Sequence, residues 1–235
     1  MTSLKILRSH NKFVEYTNQD WEILRKKREQ ALFLLKMFIK EGLNPYVIGS
    51  IARGDVHRDS DIDLIFPYVL SPFKIEYILS LNGFENYFRE IIMATPSDPL
   101  KMYIYISELE SISFPLTKLD KKSLEFYNFG GKISYEQLKQ EVRLPGIDKR
   151  LVLIEPLDNG HHESSIIGNE HLVAKKVNVS LDTVFEREKV LLKREKMGRT
   201  GVFIKKQIEI GESSEAVLKK LARNKRIVRK KLQEP

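Results

Sequence analysis

The stretch from Gly49 to Phe66, GSIARGDVHRDSDIDLIF, constrains this 235-residue chain more than any other segment. It places four aspartates within nine residues, and the last two alternate with aliphatic residues. Residues two apart in a β-strand point to the same face. We therefore predict a strand, DIDLIF, on which Asp61 and Asp63 project together while Ile62 and Leu64 face the core. Two such carboxylates raise each other's pKa unless a cation stabilises both charged forms.

The chemistry of these ligands indicates which cation. Oxygen ligands without a nearby Cys or His are typical of sites for a hard ion, and the chain has no cysteine at all. An EF-hand calcium loop beginning at Asp59 is excluded, because it needs glycine where Leu64 stands and glutamate where Leu70 stands. The sequence thus predicts Mg²⁺ or Mn²⁺ bound by Asp61 and Asp63.

The Gly49-Ser50 pair precedes these aspartates by a dozen residues. We predict that a strand, NPYVIG, leads into one helical turn, SIARG, whose free backbone N–H groups and Ser50 hydroxyl face an anion. Gly49 lets a ligand approach the backbone closely, and Arg53 follows one turn later. Lys149 and Arg150, at the start of a buried strand, are further candidates for phosphate binding, although such residues also commonly flank strand ends. The pattern favours a nucleoside triphosphate bound with its metal ion.

The segment GSIARGDVHRDSDIDLIF resembles the signature of the DNA polymerase β-like nucleotidyltransferase superfamily. It is especially similar to the version in archaeal CCA-adding enzymes and small predicted archaeal nucleotidyltransferases, and the likeness extends loosely over residues 19–116. The resemblance implies an α+β fold with a mixed sheet flanked by helices. It also implies that Ser50 contacts the triphosphate, that Asp61 and Asp63 hold Mg²⁺, and that a nucleoside monophosphate is transferred with release of pyrophosphate.

One element of the family pattern is not evident in the sequence. The family uses a third carboxylate on a later strand, and the segment in that place, SISFPL, carries serines but no acid. Glu110, just before it, is our candidate for the third catalytic residue, with Glu108 as an alternative and Asp148 as a poorer one. A non-catalytic protein on a degenerate nucleotidyltransferase fold is the competing hypothesis.

The remaining segments are predicted from apolar periodicity and turn residues. Helices are expected at residues 19–41, from Pro72 to about 82, and at 121–127. Strands are expected in YFREIIMAT, KMYIYIS, SISFPL and KRLVLIEP. The segment LDNGHHES is interpreted as an exposed loop, because the adjacent His161, His162 and Glu163 lack the spacing of a helical metal pair.

The C-terminal quarter carries most of the positive charge. Residues 171–235 hold 18 Lys and Arg against 8 Asp and Glu, in a chain with a net charge of +8. Two helices separated by the turn Asn178-Val179-Ser180, followed by GRTGVFIKK as a hairpin or strand, resemble a winged helix, although many such units are only packing modules. The charge favours a polyanionic partner, with RNA or DNA first. The candidate phosphate contacts are Arg187, Lys193, Arg194, Arg199, Lys205, Lys206, Arg226, Arg229 and Lys230.

We therefore predict a nucleotidyltransferase-like domain at 1–155 and a basic winged-helix-like module with a C-terminal helix at 156–235. The expected reaction is transfer to an RNA acceptor, with tRNA as one candidate; a transferase acting on a protein or a small molecule is a third hypothesis. No segment has the length and apolar content of a signal peptide or a membrane span, so a cytoplasmic location is expected. The oligomeric state is left open.

Overall fold

The computed structural model describes residues 5–85 and 87–233. Its β-strands are β1 (Asn11–Glu15), β2 (Tyr46–Ile48), β3 (Ile62–Ile65), β4 (Phe88–Met93), β5 (Lys101–Tyr105), β6 (Glu110–Pro115), β7 (Lys132–Ser134), β8 (Gly146–Ile147), β9 (Val152–Leu157), β10 (Gly160–Ser165) and β11 (Ile204–Ile208). Its α-helices are α1 (Asn18–Lys40), α2 (Ser50–Arg53), α3 (Pro72–Leu81), α4 (Lys121–Phe129), α5 (Tyr135–Lys139), α6 (Glu170–Lys176), α7 (Leu181–Met197), α8 (Ser214–Asn224) and α9 (Arg226–Gln233). No helix among these residues is long and apolar enough to cross a membrane.

A seven-stranded mixed sheet forms the centre of the molecule, in the order β11-β4-β5-β6-β3-β2-β7. The pair β3 and β6 is parallel, and the other pairs are antiparallel. The predicted α+β class and mixed sheet flanked by helices are therefore confirmed. Strand β3 pairs with β6, which lies almost 50 residues later in the chain. This long-range pairing builds the sheet around the two aspartates.

The two faces of this sheet differ in character. Paired residues on neighbouring strands share a face, so Asp63, Ser111 and Tyr105 lie on one side, which we call the front face. Ile62 and Ile112 lie on the opposite back face and are fully buried. The back face forms the main hydrophobic core with α1, α3, α8 and α9.

Helix α1 begins and ends close to the predicted positions. Thr17 caps its N-terminus in a capping box with Asp20, which satisfies free N–H groups of the first turn. Its apolar stripe, including Leu24, Leu35 and Phe38, packs into the main core. The sequence predicted this helix well because the cap and the periodicity agree.

A second, four-stranded antiparallel sheet has the order β1-β10-β9-β8. The segment LDNGHHES, interpreted as an exposed loop, instead forms the end of β9, a turn and most of β10. His161 and Glu163 alternate along β10, point to one face and are buried. The loop prediction was wrong because these polar side chains pair with each other and with residues far away in the sequence, so the strand can bury them.

The basic C-terminal region contributes to both cores. Helices α6 and α7, in the predicted helix-turn-helix segment, pack with the second sheet through Val173, Val184 and Leu191. A winged helix is not confirmed, because GRTGVFIKK has the single strand β11, which pairs with β4 and extends the large sheet. The predicted boundary near residue 155 falls inside β9, whose partners β8 and β10 lie on either side of it in the chain.

Candidate active site

The Gly49-Ser50 turn connects β2 to the short helix α2. Gly49 has φ +80°, a conformation that strains any residue with a Cβ. A Cβ placed there would meet nothing within 4 Å, so the space beside this backbone is open. The Gly49 N–H donates to Gly131 O at 2.9 Å, which fixes the turn against the connection between α4 and β7. Ser50 begins α2, where the first N–H groups of a helix have no partner within it.

The two aspartates stand at the start of β3, next to this turn. Asp61 is exposed and Asp63 is partly exposed, and the register pairs Asp63 with Ile48, the residue before Gly49. The Ser111 hydroxyl donates to Asp63 Oδ1 at 2.6 Å. Burial, and to a smaller extent the charge of Asp61, raises the pKa of Asp63, while the hydrogen bond from Ser111 opposes that rise. The site therefore holds two carboxylates that gain from a nearby positive charge.

Lys149 supplies positive charge near these carboxylates. It is exposed in the turn between β8 and β9, on the second sheet. Its ammonium lies close enough to Asp63 to act against the burial that raises the pKa of that carboxyl. Gly49, Ser50, Asp61, Asp63 and Lys149 are thus the predicted site residues that the fold brings together.

This arrangement of a Gly-Ser turn beside a strand with two aspartates agrees with a family of known proteins. Residues 24–127 match the family model of the nucleotidyltransferase domain. The matched segment extends from α1 into α4 and contains Gly49, Ser50, Asp61 and Asp63. The match supports transfer of a nucleoside monophosphate in general terms and an NTP as substrate.

The other comparisons add no closer relative. Searches of curated proteins and of solved structures each returned no match. The closer likeness to CCA-adding enzymes and to archaeal proteins therefore stays a prediction from the motif alone.

The fold does not place Glu110 with the aspartates. Glu110 pairs with Ile62 in the parallel register of β3 and β6, whereas Ser111 pairs with Asp63. Because alternate residues face opposite sides of a strand, Glu110 belongs to the back face, and its Oε1 accepts a hydrogen bond from Gln30 of α1 at 2.6 Å. Ser111 and Ser113 occupy the front positions of β6. Among the described residues, no group of three or more His, Cys, Asp and Glu is arranged to hold a metal ion.

The two predicted phosphate-binding arginines have protein partners instead. Arg53 is buried, donates from Nε and Nη2 to Asp55 at 3.0 and 2.9 Å, and donates from Nη1 to Gly130 O at 2.6 Å. Arg150 pairs with Asp148 and Glu163. Both guanidinium groups brace the loops around the candidate site, which leaves Lys149 as the predicted cation whose charge acts on Asp63.

The predicted nucleic-acid contacts are spread over several surfaces. Lys205 lies on the front face, where its Nζ is 3.0 Å from Glu90 Oε2. Lys206 pairs with Ile91, a back-face residue, so it points the other way. The guanidinium of Arg187 stacks on the Phe126 ring at 4.5 Å. The remaining candidates lie on α7, on the segment before β11 and on α9: Lys193, Arg194, Arg199, Arg226, Arg229 and Lys230.

Several front-face residues around the candidate site were not predicted as functional. Ser111 orients Asp63, and the aromatic residues Tyr103, Tyr105 and Phe88 continue the same face toward the sheet edge. Their alternation in KMYIYIS was used only to predict a strand. Once β6 is paired with β3, that alternation also places the tyrosines beside the site.

Proposed function

We propose that this protein transfers a nucleoside monophosphate from an NTP to an RNA acceptor in a divalent-metal-dependent reaction. The observation that carries the proposal is that Asp61 and Asp63 lie beside the open Gly49-Ser50 turn, where β2 ends and β3 begins, with the charge of Lys149 acting on Asp63. The family match of residues 24–127 supports the reaction class. The RNA acceptor is supported by the positive charge of residues 171–235.

The donors present fit a hard divalent cation. Asp61 and Asp63 offer carboxylate oxygens only, and Mg²⁺ is commonly bound by one or two carboxylates together with substrate phosphates. Burial, and to a smaller extent the charge of Asp61, raises the pKa of Asp63, so a bound cation would favour its charged form. Bound between these residues and an NTP, Mg²⁺ or Mn²⁺ would stabilise negative charge on the transferring phosphoryl group.

The chain's own residues would position the reactants. The free N–H groups at the start of α2 and the Ser50 hydroxyl would bind the triphosphate, and Lys149 would balance its charge. The acceptor hydroxyl oxygen bonds to the α-phosphorus, and the bond from that phosphorus to the pyrophosphate oxygen breaks. The hydroxyl proton leaves to solvent, because the described residues place no third carboxylate beside Asp61 and Asp63. Catalysis would then rest on positioning and electrostatics.

A second candidate function is favoured by one observation. The front positions of β6, where the family's third carboxylate is expected, are Ser111 and Ser113. A protein that keeps the fold and binds nucleic acid without transferring nucleotides would have the same serines. Its basic C-terminal region would then be the main binding surface.

Transfer of label from α-³²P-NTPs to cellular RNA in the presence of Mg²⁺ or Mn²⁺ tests the proposal. We expect Asp61→Asn and Asp63→Asn each to lower transfer by at least about a hundredfold, since they remove charge that acts in the transition state. Asp59→Asn is the matched control, because Asp59 lies exposed in the preceding turn, and it should leave transfer unchanged.

The other outcomes distinguish the alternatives. Salt-sensitive RNA binding without transfer, unaffected by the two Asn variants, supports the non-catalytic function. Label found only on protein or on small molecules contradicts the RNA acceptor while retaining the transferase.

A further inference from the structure

An aromatic surface adjoins the aspartates on the front face. Phe88, Tyr103 and Tyr105, which we call the aromatic platform, lie on the adjacent strands β4 and β5. The Tyr103 and Tyr105 rings are stacked at 6.4 Å with an interplanar angle of 16°, and Phe88 contacts Tyr105 at 5.7 Å. Phe88 is 41% exposed, and both tyrosines are partly exposed. Aromatic residues on an open sheet face leave their surfaces available to a ligand.

The platform is close to the reaction site. Tyr105 pairs with Ser111, and Ser111 pairs with Asp63 and hydrogen-bonds it. Two strand spacings separate the backbones of Tyr105 and Asp63, which amounts to roughly 10 Å. A terminal nucleotide whose base stacks on Tyr105 can therefore direct its ribose toward the aspartates.

Positive side chains flank the platform. The Tyr105 hydroxyl donates to Glu90 Oε1 at 2.9 Å, which fixes the ring, and Lys205 Nζ lies 3.0 Å from the other oxygen of Glu90. The Lys205 side chain is 61% exposed, whereas that of Glu90 is 4% exposed, so the cation and not the acid faces solvent. The strand β11 thus carries a lysine of the basic C-terminal region to the edge of the aromatic platform.

A second lysine lies in the same row of the front face as Lys205, because Lys205 and Lys101 both pair with Ile92. Helix α4 covers this part of the face, where Lys101 Nζ donates to the Tyr127 hydroxyl at 3.1 Å. Arg187 of α7 stacks on Phe126 of the same helix. Rings beside an exposed cation such as Lys205 complement the bases and phosphates of a single strand, since stacking tolerates any base while the cation contacts the backbone.

From this arrangement we propose that the aromatic platform binds the 3′-terminal nucleotides of a single-stranded RNA acceptor, with a base stacked on Tyr105 and Phe88 and a phosphate beside Lys205. The inference rests on the proposed function and names the form of its acceptor. A single strand fits this surface better than a duplex, because the bases within a duplex are already stacked and paired.

Binding of a fluorescent 12-nucleotide single-stranded RNA, measured by anisotropy without NTP, tests the inference. Phe88→Leu and Tyr105→Leu keep apolar volume but remove the ring, and each should weaken binding about 5- to 100-fold, the range found for loss of one base–aromatic stack. Tyr105→Phe keeps the ring and should bind within about twofold of the wild type if the stack carries the affinity.

Two controls complete the experiment. Phe73→Leu changes an exposed aromatic residue of α3, which packs on the back face, and should not alter binding. A blunt duplex of the same sequence should bind more weakly than the single strand and be unaffected by the Leu variants. UV cross-linking of the wild type, mapped by mass spectrometry, should place the RNA on the β4 and β5 peptides even if a variant folds poorly.

Any of four results would overturn the inference. Phe88→Leu and Tyr105→Leu could both bind RNA with wild-type affinity, or the wild-type protein could prefer the duplex. The cross-links could be confined to segments other than β4 and β5, or the protein could bind no RNA at all. Failure of the transferase proposal gives a different result. Nucleotide transfer would then be absent, while the pattern of single-strand binding described here would still be observed.

Discussion

Single residues decide which predicted functional groups reach the candidate site. Glu110 and Ser111 are neighbours on β6, yet Glu110 lies on the back face and Ser111 on the front face. Arg53 was predicted from its position one turn after Ser50, but Asp55 and the Gly130 carbonyl hold its guanidinium. Spacing along the chain predicts the secondary-structure element to which a residue belongs. The hydrogen-bond partner of its side chain depends on residues from distant parts of the chain, which spacing does not predict.

Ser111 is expected to act as a positioning residue through Asp63. Replacing it by alanine removes a hydrogen bond of 2.6 Å to a carboxylate, and hydrogen bonds to charged groups contribute about 1.5–3 kcal/mol. We expect Ser111→Ala to lower nucleotide transfer by about tenfold or more and to raise the Mg²⁺ concentration needed for half-maximal transfer.

The Mg²⁺ dependence of transfer distinguishes a positioning role of Ser111 from a general structural effect of its replacement. Ser111→Thr should restore much of the transfer because it retains the hydroxyl. Ser113→Ala, one front-face position along β6, is the matched control and should leave the Mg²⁺ dependence unchanged. An unaltered Mg²⁺ dependence in Ser111→Ala would argue against the positioning role.

At the scale of elements, helix caps and periodicity explain most of the successful predictions. Thr17 and Ser180 each cap a helix through a side-chain oxygen, and such caps are visible in the sequence. The strand β10 was missed because its polar residues gave no apolar alternation. Its burial depends on partners from β1, β9 and the turn before β9. The local sequence pattern of β10 does not predict these long-range partners.

The N-terminus of α7 is fixed to α4 by one carboxylate. Glu125 Oε2 accepts from Ser180 N at 3.0 Å and from the hydroxyls of Ser180 and Thr183 at 2.5 Å. Burial would raise the pKa of Glu125, but these hydrogen bonds, first that from Ser180, lower it to about 2. We expect Glu125→Ala to reduce the free energy of unfolding by about 2–3 kcal/mol, since it leaves buried donors unsatisfied.

Urea unfolding at pH 7 measures this loss. Lys121, the ion-pair partner of Glu125, is 80% exposed, so Lys121→Ala should cost less than about 1 kcal/mol. Equal destabilisation by the two variants would contradict the assignment of the effect to the cap.

For the whole molecule, a buried polar cluster joins the second sheet to the loop that follows α2. Glu163 lies 2.5 Å from His10 Nε2, 2.8 Å from Arg150 Nη2 and 3.5 Å from His161 Nε2. The Tyr16 hydroxyl is within hydrogen-bonding distance of both His161 Nδ1 and Gly54 O. The cluster therefore connects β10 to the loop directly after Arg53, beside the candidate site.

This cluster makes stability depend on pH. Burial opposes ionisation of Glu163, but hydrogen bonds, first that from Arg150, lower its pKa to about 2, below the ordinary value of 4.5. A carboxyl with a lowered pKa stabilises the folded state above its unfolded pKa, and this stabilisation is lost as the pH falls from 4.5 toward 2. Burial also lowers the pKa of His161, so protonating it below about 6.5 disfavours folding in the same direction.

Urea midpoints at pH 7, 5 and 3 test this dependence. Glu163→Gln should be less stable than the wild type at pH 7 and should lose less stability between pH 5 and 3. Glu41→Gln, at an exposed helix end, should follow the wild-type curve. A Glu163→Gln curve parallel to that of the wild type would show that the cluster does not carry the acid sensitivity.

The sequence by itself determined the local elements of the candidate site: the strand before Gly49, the helical turn at Ser50 and the strand that carries Asp63. These follow from periodicity and backbone preferences that act over a few residues. Only the tertiary structure decided that Ser111 and not Glu110 adjoins Asp63, that Arg53 is bound within the protein, and that β11 brings Lys205 to the aromatic platform. Strand register and long-range pairing set those outcomes, because a shift of one residue exchanges the faces of a whole strand.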